Sequence, residues 1–180
     1  MVAVDLEEYS FERGSTPLIR PTEKTIPERL PPRIAIREGA VVELPHIILL
    51  VDDPNFSIIE PLYENPPFLR HEYSVQLMDN AGQVRGSRVT PDGEAHVLQA
   101  LQRFMPGKDV VLMVGDGNHS LATAKACWEA VKAGASAAGP RFAPDPRRYA
   151  LAEVQIFFFS EVQNLVRILC ANFIWHAYYT

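Results

Sequence analysis

The chain is decided by Val110-Val111-Leu112-Met113-Val114-Gly115-Asp116-Gly117-Asn118-His119-Ser120 and the segment Leu121 to Lys132 that follows it. Five apolar residues without a polar break suit a strand buried on both faces. A glycine-bearing turn comes next, and then a helix that Gly134 is expected to close. A strand, a glycine turn and a helix in that order can make an anion site. The first-turn N–H groups have no intrahelical partner, and the helix dipole places partial positive charge there. Gly115 and Gly117 allow backbone conformations and a close approach that a Cβ would forbid. His119 and Ser120 add side-chain donors where a phosphate oxygen would sit, and Asn118 lies between the glycine turn and these two. Asp116 cannot bind phosphate directly; its chemistry suits Mg²⁺ or a base acting on a hydroxyl. The structural alternative is that Asn118 or Ser120 only caps the helix and Asp116 only orders the turn. The full Walker and Rossmann glycine patterns are absent, so neither of those sites is indicated.

Upstream, Glu43-Leu44-Pro45-His46 leads into Ile47-Ile48-Leu49-Leu50-Val51, a second continuous apolar run, which Asp52-Asp53-Pro54 stops. This too reads as a buried strand. Phe56 to Leu62 reads as a further short strand. Tyr73, Val75 and Leu77 alternate with Glu72, Ser74 and Gln76, the mark of a half-buried strand. Asp79-Asn80-Ala81-Gly82 supplies turn chemistry, and Gln83 to Val89 returns as the partner strand. Thr90 as N-cap and Pro91 at the first helical position open a helix with an apolar stripe of Val97, Leu98, Leu101 and Phe104, ended by Pro106-Gly107. Residues 1 to 45 are rich in proline and charge, including Leu30-Pro31-Pro32-Arg33, and are expected to be mostly extended or looped. Ala133 to Pro146 reads as a Gly/Ala/Pro-rich loop. Strands and helices mixed with a hairpin give an α+β class: a mixed sheet, a β-hairpin and the strand–glycine loop–helix.

Hydrophobic residues make up 47% of the 180 and charged residues 22%, the usage of a globular chain with one core. A net charge of −5 argues against a general nucleic-acid or membrane-surface binder. The average hides an asymmetry. From Arg13 to Arg37, six cations (Arg13, Arg20, Lys24, Arg29, Arg33, Arg37) face two acids (Glu23, Glu28), so this segment is +4 and the remainder −9. The functional reading is an anion site on one basic segment; the bland one is a solvated face. Cys127 and Cys170 have neither metal-site spacing nor the density of a disulfide scaffold, and each reads as a small buried hydrophobe. The acidic N-terminus lacks the apolar segment of a signal peptide, which makes a reducing cytoplasm the expected setting. Asp52-Asp53 could hold a cation, but reads more simply as a strand stop and turn cap. His71, His96 and His176 have no convergent partners in sequence and read as surface or core residues.

Gly115-Asp116-Gly117-Asn118-His119-Ser120-Leu121-Ala122-Thr123-Ala124-Lys125 resembles the hallmark block of the prokaryotic family labelled domain of unknown function 1015. Ser15 to Arg20, Thr22-Glu23, Ile26, Arg29 to Arg33, Ile36 to Glu38, Glu43 to His46, Asp52 to Pro54 and Arg148 to Val154 follow the same pattern in the same order. The resemblance covers roughly residues 9 to 154. Many relatives carry Asp-Gly-His-His-Arg here, a block similar to one in the ParB/sulfiredoxin-like superfamily, which includes kinases that phosphorylate free serine. Asp116 and His119 match that block, whereas Asn118 and Ser120 depart from it. A serine cannot replace the charge of the lost arginine, a bidentate phosphate donor. Arg20, Arg33 and Arg37 match family positions and are candidates to supply it, while Glu23, Glu43 and His46 are the matching candidates for a general base or metal ligand. The resemblance implies a phosphotransferase that uses a nucleotide (ATP or ADP) and Mg²⁺ on a small-molecule substrate with a hydroxyl group, with Asp116 and Glu23 as the catalytic pair. Neither nucleic acid nor a membrane is expected as a partner. The alternatives are a non-catalytic nucleotide- or phosphate-binding module and an inactive truncated fragment.

The last 26 residues stand apart. Residues 155 to 180 contain no Gly or Pro, although the preceding 154 contain all 10 Gly and all 15 Pro, and the resemblance stops there. Residues 1–154 are therefore expected to form a single, incomplete domain, and the tail to be an out-of-frame end of a truncated gene product. Glu161, Gln163, Asn164, Arg167, Asn172 and His176 interrupt its apolar stretch, and a charge at bilayer depth costs about 2.5 to 3.5 kcal/mol, which argues against a membrane anchor.

Overall fold

A computed structural model describes residues 1–44, 46–138 and 145–156. Residues 157–180 of the expected tail, including Cys170 and His176, and residues 139–144 of the expected loop lie outside the described residues. The fold is α+β. The chain divides into two compact units, one from Met1–Asp52 with Gly107–Phe157, the other from Asp53–Pro106.

The first unit is built on a five-stranded mixed sheet of β1 (Val2–Asp5), β2 (Ile19–Pro21), β3 (Ile48–Val51), β6 (Leu112–Asp116) and β7 (Tyr149–Ile156), in the order β1-β7-β3-β6-β2. β1 and β7 run antiparallel, as do β3 and β6, while β7 with β3 and β6 with β2 are parallel. Pro21 sits in β2 because this is an edge strand, where a missing N–H breaks no ladder. Leu49 and Val51 are buried, whereas Ile48 and Leu50 are only partly covered. The expectation of burial on both faces therefore holds fully for one face of β3 only. The core gathers Val4, Leu6, Tyr9, Ile19, Ile47, Leu49, Val114, Leu121, Ala124, Ala150 and Ala152, with Trp128 and Val154 packed against it.

Two helices belong to this unit, α1 (Leu30–Glu38) and α4 (Asn118–Ala138), and they pack together. The helix α1 corrects the reading of residues 1–45 as extended or looped. Pro31 and Pro32 fall in its first turn, where the absent N–H groups have no intrahelical acceptor to lose. Leu30 is buried and Ile34 and Arg37 half-buried, a stripe at helical spacing. α4 begins three residues earlier than expected and runs through Gly134 rather than ending before it. Alanines at 130, 133, 135, 137 and 138 offset the roughly 1 kcal/mol that one glycine costs a helix.

The second unit holds α2 (Glu60–Glu64), the antiparallel hairpin β4 (Leu69–Gln76) with β5 (Gln83–Val89), and α3 (Pro91–Phe104). The expected hairpin is present, and its turn places Asp79 and Asn80 at positive φ, which their short polar side chains tolerate. Thr90 caps α3 as expected, its hydroxyl accepting the Gly93 amide at 3.3 Å. The covered face of α3 is Gly93, His96, Val97, Ala100, Leu101 and Phe104; Leu98 points to solvent and drops out of the expected stripe. Phe56 to Leu62 is not a strand. Asp53, 1% exposed, accepts the amides of Ser57 (2.7 Å) and Ile58 (2.9 Å) and the Ser57 hydroxyl (3.0 Å), folding the segment into a capped loop before α2. Asp53 thus takes the turn-capping role over the cation-binding one. Among the described residues no helix is long and apolar enough to cross a membrane.

Candidate functional site

The strand–glycine loop–helix is formed by β6 and α4, at the end of β6, which lies between β3 and the edge strand β2. Its geometry begins with a bulge. Ile48 pairs with Asp116 and Leu49 with Val114, so Gly115 is an extra residue on β6. A Cβ on Gly115 would lie 2.8 Å from the Leu50 side chain. The bulge turns the end of β6 and leaves the Asp116 side chain exposed. Gly117 then takes φ +76°, and a Cβ there would sit 3.0 Å from the Ile47 Cα and 3.3 Å from the His46 carbonyl oxygen. Both demands are met only by glycine.

Gly117 is the N-cap of α4, since its carbonyl accepts the amides of Ser120 and Leu121, each at 3.0 Å. The first-turn amides are not bare. Gly117 donates to the Asp116 carboxylate at 2.6 Å and His119 to the Asn118 side-chain oxygen at 2.8 Å. Both amides are thus already engaged by side-chain oxygens of the turn itself. The Asn118 side-chain nitrogen is enclosed and has no hydrogen-bond partner.

A loop from the basic segment closes over this turn. The amide and hydroxyl of Thr22 both donate to the Val114 carbonyl (3.2 and 2.8 Å), and the Ile26 amide donates to the His119 Nε2 at 3.1 Å. Because Nε2 accepts, the neutral His119 ring carries its proton on Nδ1. Its imidazole is held below the usual histidine range, first by burial and then by the Arg29 and Arg33 guanidiniums, with Glu23 pulling the other way. Two arginines and one carboxylate of the basic segment therefore lie within electrostatic reach of the first turn of α4. Arg29 and Arg33 make no ion pair among the described residues, and the Arg33 guanidinium donates to the Arg29 carbonyl at 3.1 Å.

Of the three arginines expected to supply phosphate contacts, Arg33 alone is brought to the site. Arg20 donates to the carbonyls of Pro17 (2.9 Å) and Asp109, at the opposite end of β6. Arg37 forms a two-pronged ion pair with Glu43 at 2.8 and 2.9 Å, which also occupies that candidate base. Arg29 was not singled out in the sequence. Its signal was its place four residues before Arg33, between Pro27 and Pro31, where helix-opening prolines put both guanidiniums on one side.

His46 is the second group that sequence alone could not place. Its Nε2 lies 2.7 Å from the Ser120 hydroxyl and its Nδ1 3.0 Å from the Leu44 carbonyl. Cys127 is half-buried and a free thiol, its acidity weakened by burial. Among the described residues no group of three or more His, Cys, Asp or Glu is arranged to hold a metal ion.

Comparison with known proteins gives one match. No curated protein and no solved structure matches the chain. A family model does, over residues 1–168, which takes in every residue of the site and runs beyond residue 154, where the resemblance was expected to stop. The chain therefore belongs to the family described as Protein of unknown function (DUF1015).

Proposed function

We propose that the chain is a nucleotide-dependent phosphotransferase acting on a small hydroxylated metabolite, with the nucleotide phosphates held at the start of α4. The observation that carries this reading is the docking of the basic segment on the first turn of that helix, where the Ile26 amide donates to His119 Nε2 at 3.1 Å and Arg29 and Arg33 lie within electrostatic reach of the ring. Two cations with no ion pair among the described residues, a helix start and the unpartnered Asn118 amide nitrogen suit a group that spreads negative charge over several oxygens. The backbone at Gly115 and Gly117 leaves room for close approach. His119 offers its Nδ1–H, whereas the Ser120 hydroxyl is engaged with His46 at 2.7 Å. Arg20 and Arg37 serve the site indirectly, by fixing the ends of β2 and the loop before β3.

Asp116 is the residue suited to Mg²⁺. It is an exposed carboxylate beside the phosphate position, and a single acid fits an ion that keeps most of its waters and takes phosphate oxygens as ligands. Bound there, the ion would neutralise charge on the transferring group. Glu23, exposed and near His119, is placed to take the proton of the acceptor hydroxyl. A reducing cytoplasm suits the free Cys127 thiol. A non-catalytic nucleotide- or phosphate-binding module is the second reading, in which the same loop only senses phosphate.

Calorimetry with ATP, ADP and CTP, each with Mg²⁺, tests the binding step. Replacing both arginines (R29A/R33A) is expected to weaken nucleotide affinity at least tenfold, about 1.4 kcal/mol, and His119→Ala to weaken it as well. Asp116→Ala should abolish turnover with small alcohols while some affinity remains. Binding without transfer to any small alcohol favours the module, and no binding at millimolar nucleotide removes both readings.

A further inference from the structure

Ser120 and His46 are 74 residues apart in sequence and meet at the site with a defined proton arrangement. The Leu44 carbonyl can only accept, so His46 Nδ1, at 3.0 Å, carries the ring proton. His46 Nε2 then presents a lone pair, and the Ser120 hydroxyl donates to it at 2.7 Å. Nucleophile, base and a third group that fixes the base's tautomer are the three parts of an activated serine. The hydroxyl is not spent on capping, because Gly117 occupies the N-cap position of α4. Nor is the pair sealed in: His46 is exposed and Ser120 half-exposed.

We infer that Ser120 is a phosphoryl-accepting nucleophile with His46 as its general base, and that its donor is the terminal phosphoryl group of a nucleoside triphosphate. This rests on the proposed function for the donor class, which Arg29 and Arg33 favour over a neutral acyl group. In the step, a bond forms between Ser120 Oγ and the terminal phosphorus. The bond from that phosphorus to the bridging oxygen breaks, and the nucleoside diphosphate leaves with the electron pair. The Oγ proton passes to His46 Nε2, giving an imidazolium whose Nδ1–H stays on the Leu44 carbonyl. The product is phosphoserine 120.

The full chain is incubated with ATP and Mg²⁺, its intact mass is followed, and the modified residue is mapped by fragmentation; calorimetry on the same sample reports nucleotide binding. The expected result is gain of one phosphoryl group at Ser120, absent in Ser120→Ala. His46→Gln is expected to slow labelling by about 10²-fold or more, and free imidazole to restore part of the rate in His46→Ala, which a purely structural role would not allow. Circular dichroism verifies that each variant is folded. Nucleotide bound without phosphoserine overturns this assignment and leaves the proposed function standing. No nucleotide bound overturns both, and labelling as fast in His46→Gln as in the natural chain overturns the role of His46.

Discussion

Gly117→Ala at the N-cap of α4 and Gly134→Ala in its interior are expected to shift stability in opposite directions. At Gly117 an alanine must hold φ +76°, in the left-handed region that costs an L-residue about 1–2 kcal/mol. Its Cβ would also stand 3.0 Å from the Ile47 Cα and 3.3 Å from the His46 carbonyl oxygen. These are backbone atoms and cannot rotate aside, so the entry to β3 has to shift, at an overpacking cost of about 1–3 kcal/mol. Together the two effects predict destabilisation of about 2–5 kcal/mol. The same shift would draw His46 away from Ser120. Gly134 sits in the exposed interior of α4 with no atom within 4 Å of a Cβ, so alanine there should stabilise by about 0.5–1 kcal/mol through helix propensity. Urea unfolding followed by far-ultraviolet circular dichroism reads both changes as shifts in midpoint at constant slope. A Gly117→Ala protein within about 0.5 kcal/mol of the natural chain, or two shifts of the same sign, would refute the placement of this turn against β3.

His119 makes stability depend on pH in a definite direction. Its folded pKa lies below the ordinary histidine value, so the unfolded chain takes up the proton first as pH falls. The contribution is complete above about pH 6.5 and is lost toward lower pH. Urea midpoints of the natural chain should therefore fall more steeply between about pH 7 and 5 than those of His119→Gln, and parallel curves would contradict the burial of the ring. In the second unit, Asp53→Ala removes a buried acceptor of three hydrogen bonds and should cost about 2–4 kcal/mol. Hydrogen exchange at the Ser57 and Ile58 amides is expected to accelerate together; unchanged protection there would mean the carboxylate does not organise the loop.

The parts of the fold legible in the sequence are those set by neighbours in the chain. Thr90-Pro91 opens α3 where expected, because a cap and a fixed φ act within a few residues. The β4–β5 hairpin follows from alternation and from its turn residues in the same way. Local patterns mislead where a residue's effect depends on its position in an element. Pro31 and Pro32 forbid a helix interior but not a first turn, so their presence hides α1 in the sequence. Phe56–Leu62 has the apolar content of a strand, yet Asp53 folds it into a loop and Pro61 falls in the first turn of α2. At the site, the strand, the turn and the helix were legible. Which arginine would face them was not, because Arg20 and Arg37 are drawn off by carbonyls and by Glu43.

By itself, the sequence determined the class α+β, the family and the two glycines at the hinge between β6 and α4, since each follows from residue chemistry acting over a few positions. Only the tertiary structure decided that Arg29 and Arg33 come within electrostatic reach of His119 and that His46 meets Ser120. These placements depend on the pairing of β3 with β6 around the Gly115 bulge and on the packing of α1 against α4. Register and helix packing are set by burial summed over distant segments, and no local spacing encodes them.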